Sequence, residues 1–255
     1  MLVLRSLLFN IAFYVNLIGA MIVALPTILV GRRAVIGLAK YWSRSSLILA
    51  KYIAGLDAEF RGRENIRPGA LLIAPKHQSI WETFAILQFF DDFSFVLKRE
   101  LTWIPFFGWY LYRADQIAIN RAKGSTALGQ VVEGARARFA AGRQVFIFPE
   151  GTRRPVGAPP AYKYGVAHVY AETGAPLLPV ALNSGVFWPR RSFIRRPGKV
   201  LVEFLPVIEP GLDAATALKE IADRIETATN RLVAESLSRD PGLASAIKIE
   251  TAKAA

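Results

Sequence analysis

No charged residue occurs between Arg5 and Arg32, so the 26 residues from Ser6 to Gly31 form one apolar run bracketed by arginines. A helix of about 20 apolar residues is enough to cross a hydrocarbon core. A chain that starts this way must bury the run in lipid or in a protein core. Asn10, Asn16 and Pro26 make it less than ideal as a span. A cleaved signal peptide would have a shorter apolar stretch behind a more basic start than the single Arg5. The expectation is a retained helix, and whether it crosses the bilayer or re-enters it stays open.

The next segment differs in kind. Arg33, Lys40, Arg44 and Lys51 follow at offsets of seven, four and seven. At about 100° per residue they fall within roughly 40° of arc on a helix. Leu38, Tyr41, Trp42, Leu47, Leu49 and Ile53 occupy much of the remaining surface. Such a helix can lie in the headgroup layer with its charges on lipid phosphates, or pack on a core with its basic face in water. Residues 1–54 are therefore expected to form a two-helix membrane anchor.

Charge and composition point the same way. The net charge is +12, hydrophobic residues make up 53% of the chain, and the mean hydropathy is +0.29. Such a charge attracts phosphate-rich partners, nucleic acid or an anionic bilayer. The apolar content favours the bilayer, since a nucleic-acid-binding protein would not need the uncharged amino-terminal run. The absence of cysteine excludes disulfides and thiolate zinc sites, and two histidines argue against a histidine-rich metal site. No metal and no cofactor are expected.

After Gly55 short apolar runs alternate with helical stretches. Strands are expected at Leu71–Ala74, Phe93–Leu97, Gln116–Ile119, Val145–Phe148, Leu177–Leu182 and Val200–Leu205. Helices are expected at Ile80–Phe90, Thr126–Ala141, Tyr164–Glu172 and Ala214–Glu235. The alternation predicts an α/β fold with a mixed central sheet covered by helices over residues 55–235. Residues 236–255 form a tail without chemical signal. Sites in such folds gather where strands end, and His77 and Glu150 both follow expected strand ends.

His77 and Glu82 are five residues apart, about 140° around a regular helix, so they meet only if His77 lies outside it. Ser79-Ile80-Trp81-Glu82 has the spacing of a capping box, which starts a helix at Ile80 and leaves His77 in the preceding loop. His77 can then fold back onto Glu82. An imidazole held in one tautomer by a carboxylate is a base suited to neutral pH. The alternative is that Glu82 only caps. Phe148-Pro149-Glu150-Gly151-Thr152-Arg153 follows another strand. Its glycine permits a tight turn of backbone N–H groups, and Arg153 and Arg154 can hold a phosphate. Lys98-Arg99-Glu100 and Asn120-Arg121 can add positive charge to the same mouth. Pro105-Phe106-Phe107-Gly108-Trp109-Tyr110 is either core or the rim of an acyl pocket facing the bilayer. Arg190, Arg191, Arg195, Arg196 and Lys199 are either a patch for lipid or an acidic carrier, or a solvated loop.

At these residues the chain resembles the 1-acyl-glycerol-3-phosphate acyltransferase family. Four blocks match in order: His77 to Glu82; Lys98-Arg99-Glu100-Leu101, Pro105, Gly108 and the run to Arg121; Phe148 to Arg153; and Leu178-Pro179-Val180-Ala181. The resemblance covers roughly residues 55–210. Glu82 replaces the usual aspartate, and Asp115, Ala118 and Asn120 stand where glycine, phenylalanine and aspartate are common. The resemblance implies His77 as general base and Glu82 as its orienting carboxylate. It implies Lys98, Arg121, Glu150, Gly151, Thr152 and Arg153 in the acceptor site. The implied reaction is acyl transfer from acyl-CoA or acyl carrier protein to the sn-2 hydroxyl of lysophosphatidate, giving phosphatidic acid, at the cytoplasmic side of a bacterial inner membrane. Another lyso-lipid acceptor, a lyso-aminolipid or lysophospholipid, and a non-enzymatic basic membrane-binding protein are the alternatives.

Overall fold

The computed structural model describes residues 1–120, 124–245 and 247. Helices α1 (Leu2–Val23), α2 (Thr27–Val30) and α3 (Arg32–Leu49) come first, and a π-type turn at Ala50–Ala54 continues α3. Then follow β1 (Leu56–Arg61), β2 (Leu71–Pro75), α4 (Trp81–Ala85), β3 (Phe93–Lys98), α5 (Phe107–Arg113) and β4 (Ile117–Ile119). The chain continues with α6 (Ser125–Ala140), β5 (Gln144–Phe146), α7 (Tyr164–Thr173), β6 (Leu177–Leu182), α8 (Ser184–Phe187), β7 (Gly198–Phe204) and α9 (Ala214–Arg239). Asp213 starts α9 by accepting the Ala215 and Thr216 N–H groups, and Gly174, at φ +62°, ends α7.

The strands lie in the order β1-β7-β6-β2-β5-β3-β4. Only the β6–β7 pair is antiparallel among the described pairs, so the sheet is mixed as expected. Every residue of β2 and β6 is buried. Strands covered on both faces read as unbroken apolar runs, and along them successive side chains enter opposite cores. Leu71 and Ile73 join Trp81, Phe84, Phe146 and Phe204 on one face. Leu72 and Ala74 join Val131, Tyr170, Ile221 and Ile225 of α6, α7 and α9 on the other.

Four expected helices are present, with one shortened. The Ile80–Phe90 helix breaks after Ala85 and resumes as a 3-10 turn at Leu87–Phe89. Strand β1 and helix α5 were not expected. The Leu177–Leu182 strand has the expected bounds.

The first face is covered by α4 and by the amino-terminal helices. Ser6, Phe9 and Phe13 of α1 are buried, and Phe13 lies 5.4–5.6 Å from the rings of Trp42, Phe84 and Trp188. Helix α3 buries Val35, Ile36, Ser43 and Ser46. Its basic seam faces outward, with Lys40 near Asp91 (3.3 Å) and Lys51 paired with Asp57 (2.9 Å). The amino-terminal helices therefore share one core with the sheet. One stripe of α1 is exposed and apolar, from Leu4 and Ile11 to Val15, Ile22 and Val23.

Both ends of α1 are tied to the same body. Arg5 Nε donates to the Ile53 carbonyl at 2.9 Å, Asn10 Nδ2 to the Phe193 carbonyl at 3.0 Å, and Tyr110 Oη to the Met21 carbonyl at 2.5 Å. A 22-residue helix is about 33 Å long. Fastened along that length, α1 lies flat against the domain with one stripe outward.

Candidate active site

Strands β2 and β5 are parallel neighbours with Ile73 opposite Phe146, and the segments leaving them lie side by side at the carboxyl edge of the sheet. One carries His77 and Glu82, the other Phe148 to Arg153. Their onward connections pack on opposite faces, through α4 and α7. This is the kind of crevice where open α/β sheets hold ligands.

The loop–helix junction folds as the spacing predicts, one residue late. Helix α4 starts at Trp81, and Ser79 Oγ accepts the Trp81 N–H at 3.2 Å. Glu82 Oε1 reaches back to the N–H groups of Gln78 and Ser79, both at 2.7 Å. The same oxygen lies 3.0 Å from His77 Nδ1. Capping and histidine contact therefore coexist. Two backbone donors already fix Oε1 as an acceptor, so the network assigns the proton to Nδ1 and leaves Nε2 with its lone pair. Glu82 is fully buried, and Ser184 Oγ donates to its other oxygen at 2.6 Å. Glutamate replaces the family's usual aspartate without losing the imidazole contact.

His77 is held on three further sides. Its ring stacks on Phe148, centroids 3.9 Å apart and 22° from parallel. Its N–H donates to Glu150 Oε2 at 3.0 Å, and its carbonyl accepts the Arg154 N–H at 2.8 Å. An imidazole placed this way can take a proton at Nε2 and pass it on.

Glu150, expected in the acceptor site, is buried. Its second oxygen accepts from Lys76 Nζ at 2.9 Å, and that buried lysine also bonds Glu226 of α9 at 2.5 Å. Burial pushes the Glu150 carboxyl above the ordinary carboxylate range, while Lys76 pulls the other way. Its oxygens are committed to the His77 loop, so Glu150 stiffens the loop and presents no carboxylate to the crevice. Gly151, at φ +66°, turns the chain so that Thr152 is exposed and Arg153 half-buried at the rim.

Lys98 is exposed at the end of β3, two strands from β2 along the same edge. Arg121 lies outside the described residues. The five-cation loop does not form one patch. Arg195 is buried with its guanidinium 4.3 Å over Trp188, and burial pulls it down to about 10. Lys199 lies 3.4 Å from Glu59. Arg190 is turned back to the Arg153 carbonyl (3.3 Å), and burial together with Arg191 and Arg153 pulls its guanidinium below the usual value. Among the described residues no carboxylate lies within ion-pair distance of Arg153 or Arg190, so this corner is open to an anion.

Lys76, Ser184 and Glu226 were not expected. Ser184 follows β6, and its position just past a strand end is the one sequence signal that could have flagged it. Asp115 stands where the family commonly has glycine and takes φ +57°, a region that favours glycine. Arg138 and Arg143 hold its carboxylate at 2.5 and 2.6 Å, which compensates the backbone cost. Among the described residues no group of His, Cys, Asp and Glu is arranged to hold a metal.

The chain is similar in sequence and fold to known proteins. Residues 57–183 match the family described as Acyltransferase. A 1-acyl-sn-glycerol-3-phosphate acyltransferase of Pseudomonas aeruginosa is 38% identical over 194 residues, 76% of each chain. The alpha enzyme of that name from Mus musculus is 27% identical over 78% of this chain and 71% of its own. The crystal structure of a 1-acyl-sn-glycerophosphate acyltransferase from Thermotoga maritima superimposes with a TM-score of 0.77 at 22% identity. It covers 92% of this chain and 98% of its own, so the fold is shared over most of the chain. The identity to the Pseudomonas protein, sustained over three quarters of both chains, shows that this chain belongs to the acyltransferase family.

Proposed function

We propose that the protein transfers a fatty acyl group from an acyl thioester to the sn-2 hydroxyl of 1-acyl-sn-glycerol 3-phosphate, giving phosphatidic acid. The observation that carries this reading is the buried Glu82 carboxylate 3.0 Å from His77 Nδ1, in a family whose Pseudomonas and mouse relatives bear that activity in their names. His77 Nε2 takes the proton of the acceptor hydroxyl as its oxygen attacks the thioester carbonyl. The tetrahedral intermediate collapses by breaking the C–S bond, and the imidazolium returns the proton to the leaving thiolate. The negative Glu82 stabilises the imidazolium between these steps. The acceptor is itself the nucleophile, so no covalent acyl-enzyme is needed.

The acceptor phosphate sits on Arg153 and Arg190 at the open corner beside His77. Gly151, Thr152, Lys98 and Arg121 shape the rest of its site, and Glu150 acts from beneath through Lys76 and the His77 N–H. The outward stripe of α1 lies in one leaflet, with α3 behind it as the second helix of the anchor. The ties at both ends of α1 favour an in-plane helix over a crossing one. The membrane is the bacterial inner membrane, with the crevice on the cytoplasmic side where acyl thioesters are made.

The test is a matrix of acceptors and donors given to the detergent-purified protein. Lysophosphatidate, a lyso-aminolipid and a lysophospholipid are each offered acyl-CoA and acyl carrier protein thioesters. Phosphatidate formation from lysophosphatidate is the expected outcome. Turnover of the other acceptors alone would contradict the proposed acceptor, and no turnover with either donor would contradict the enzyme reading.

A further inference from the structure

The stretch between Arg99 and Arg113 is built to hold aromatic rings out in solvent. A 3-10 turn (Arg99–Trp103) leads to Pro105, and the Phe107 N–H donates to the Pro105 carbonyl at 2.7 Å across Phe106. Phe106 takes φ +62°, ψ −52°. A three-residue turn of this hand is rare and strained, and a phenylalanine adopts it only where its surroundings enforce it. The enforcement is visible at Gly108. A Cβ there would stand 1.9 Å from the Thr102 carbonyl oxygen, so the 3-10 turn and α5 close on each other over a residue that must be glycine. The product is a fixed tip on which Trp103, Ile104, Phe106 and Trp109 are 45–65% exposed. The Phe106 and Trp109 rings meet at 5.0 Å, which holds both outward.

The tip continues the outward face of the amino-terminal helices. Tyr110 Oη bonds the Met21 carbonyl, and Arg113 Nε donates to the Ile28 carbonyl at 2.8 Å. A mostly apolar groove between α2 and α5 is lined by Ile28, Leu29, Trp109 and Tyr112, with Arg113 beside them. The sequence from Leu101 to Arg113 carries no carboxylate, and Glu100 stands between it and the two cations Lys98 and Arg99. Arg99, at the base of the tip, stacks 5.6 Å over the Trp103 ring, and Lys98 beside it is exposed.

We propose that this tip is a second membrane-entering element, seated in the headgroup–acyl boundary of a phospholipid leaflet beyond the end of α1. Tryptophan and tyrosine favour that boundary because one end of each ring system is apolar and the other polar. Arg99, Lys98 and Arg113 meet the lipid phosphates around it. An exposed apolar patch rimmed by polar residues marks a surface that meets a membrane or another protein, and the bordering cations favour the membrane here. The proposal rests on the reading that α1 lies in the leaflet, and it assigns the tip a part in catalysis by location. The tip follows β3 at the sheet edge that also carries His77, so a lyso-lipid could reach the base without leaving the leaflet.

The chain has no cysteine, so single labels are clean. Full-length F106C and W103C carry an environment-sensitive dye on the tip, V15C carries it on α1, and K219C carries it on the exposed face of α9. Each is mixed with vesicles of phosphatidylcholine and phosphatidylglycerol, first without bromine to read the spectral change and then with acyl chains that bear bromine at defined depths to read quenching. The expected result is a blue shift and intensity rise at 106, 103 and 15, with none at 219. Quenching should be greater from bromines near the headgroup than near the chain end, as for a depth of roughly 5–10 Å. A response at 15 with 106 and 103 behaving like 219 would overturn the tip while leaving α1 in the leaflet. No response at any position would overturn both. A response at 106 without vesicles, growing with protein concentration, would make the surface a contact between copies and also overturn the proposal.

Discussion

Glu82→Gln separates the charge of the buried carboxylate from its shape. In the substituted protein the amide oxygen can still accept from the Gln78 and Ser79 N–H groups and from His77 Nδ1. The amide NH2 then faces Ser184, whose hydroxyl rotates to accept. The loop should keep its form, and what is lost is the negative charge facing the imidazolium. Unit charges about 4 Å apart, the spacing a 3.0 Å Nδ1–Oε1 contact implies, interact by about 4 kcal/mol at an effective dielectric of about 20. The proton is only partly transferred at the transition state, so the loss falls between about 2 and 4 kcal/mol, or roughly 30- to 900-fold in kcat. The assay is steady-state phosphatidate formation, with kcat and acceptor KM separated and the melting temperature recorded. KM should change little, because the charge acts on the transition state. A kcat within about threefold of the unsubstituted protein would refute the electrostatic role, since threefold is only about 0.7 kcal/mol. A loss equal to that of His77→Ala would mean that Glu82 does more than orient and stabilise the imidazole.

Other predictions follow from neighbouring contacts. Arg153→Ala should raise the KM for lysophosphatidate with little change in kcat, and an unchanged KM would count against a phosphate contact. Phe13→Ala should cost about 3–5 kcal/mol of stability, as for any large buried ring. It would be read as a lower midpoint in detergent denaturation, and a surface-like loss below about 0.5 kcal/mol would mean that α1 is not part of the core. Glu150 binds its proton more tightly in the folded protein than in the unfolded one, because burial raises its pKa. Its contribution to stability therefore falls as pH rises through and above the ordinary carboxylate range. Glu150→Gln should flatten that decline between acid and neutral pH, and identical slopes for the two proteins would contradict the assignment.

How much of this was legible in the sequence depended on what carried each contact. The expected Leu71–Ala74 and Leu177–Leu182 strands were readable because a strand covered on both faces must be apolar throughout. Strand β1, Leu-Asp-Ala-Glu-Phe-Arg, was not, because it lies at the sheet edge with only Leu56 buried and shows no apolar run. Helix α5 was hidden behind the strained turn at Phe106, which no propensity anticipates. The His77–Glu82 contact was readable because it is local and set by a capping spacing. The partners that complete it were not local. Lys76 meets Glu226 across 150 positions, and Ser184 meets Glu82 across 102, so both contacts are products of topology. The burial of Glu150 was equally hidden, since a glycine after a strand predicts a turn and not which side chain it buries. The basic seam of α3 was read correctly as one face, but its opposite face proved to be core.

The most direct test of the central claim is phosphatidate formation by the purified full chain and by His77→Ala, with unchanged circular dichroism and melting temperature as the check on folding. The account predicts that the substituted protein retains its fold and loses turnover. Near-normal activity in a folded His77→Ala protein would contradict the claim that this histidine is the base.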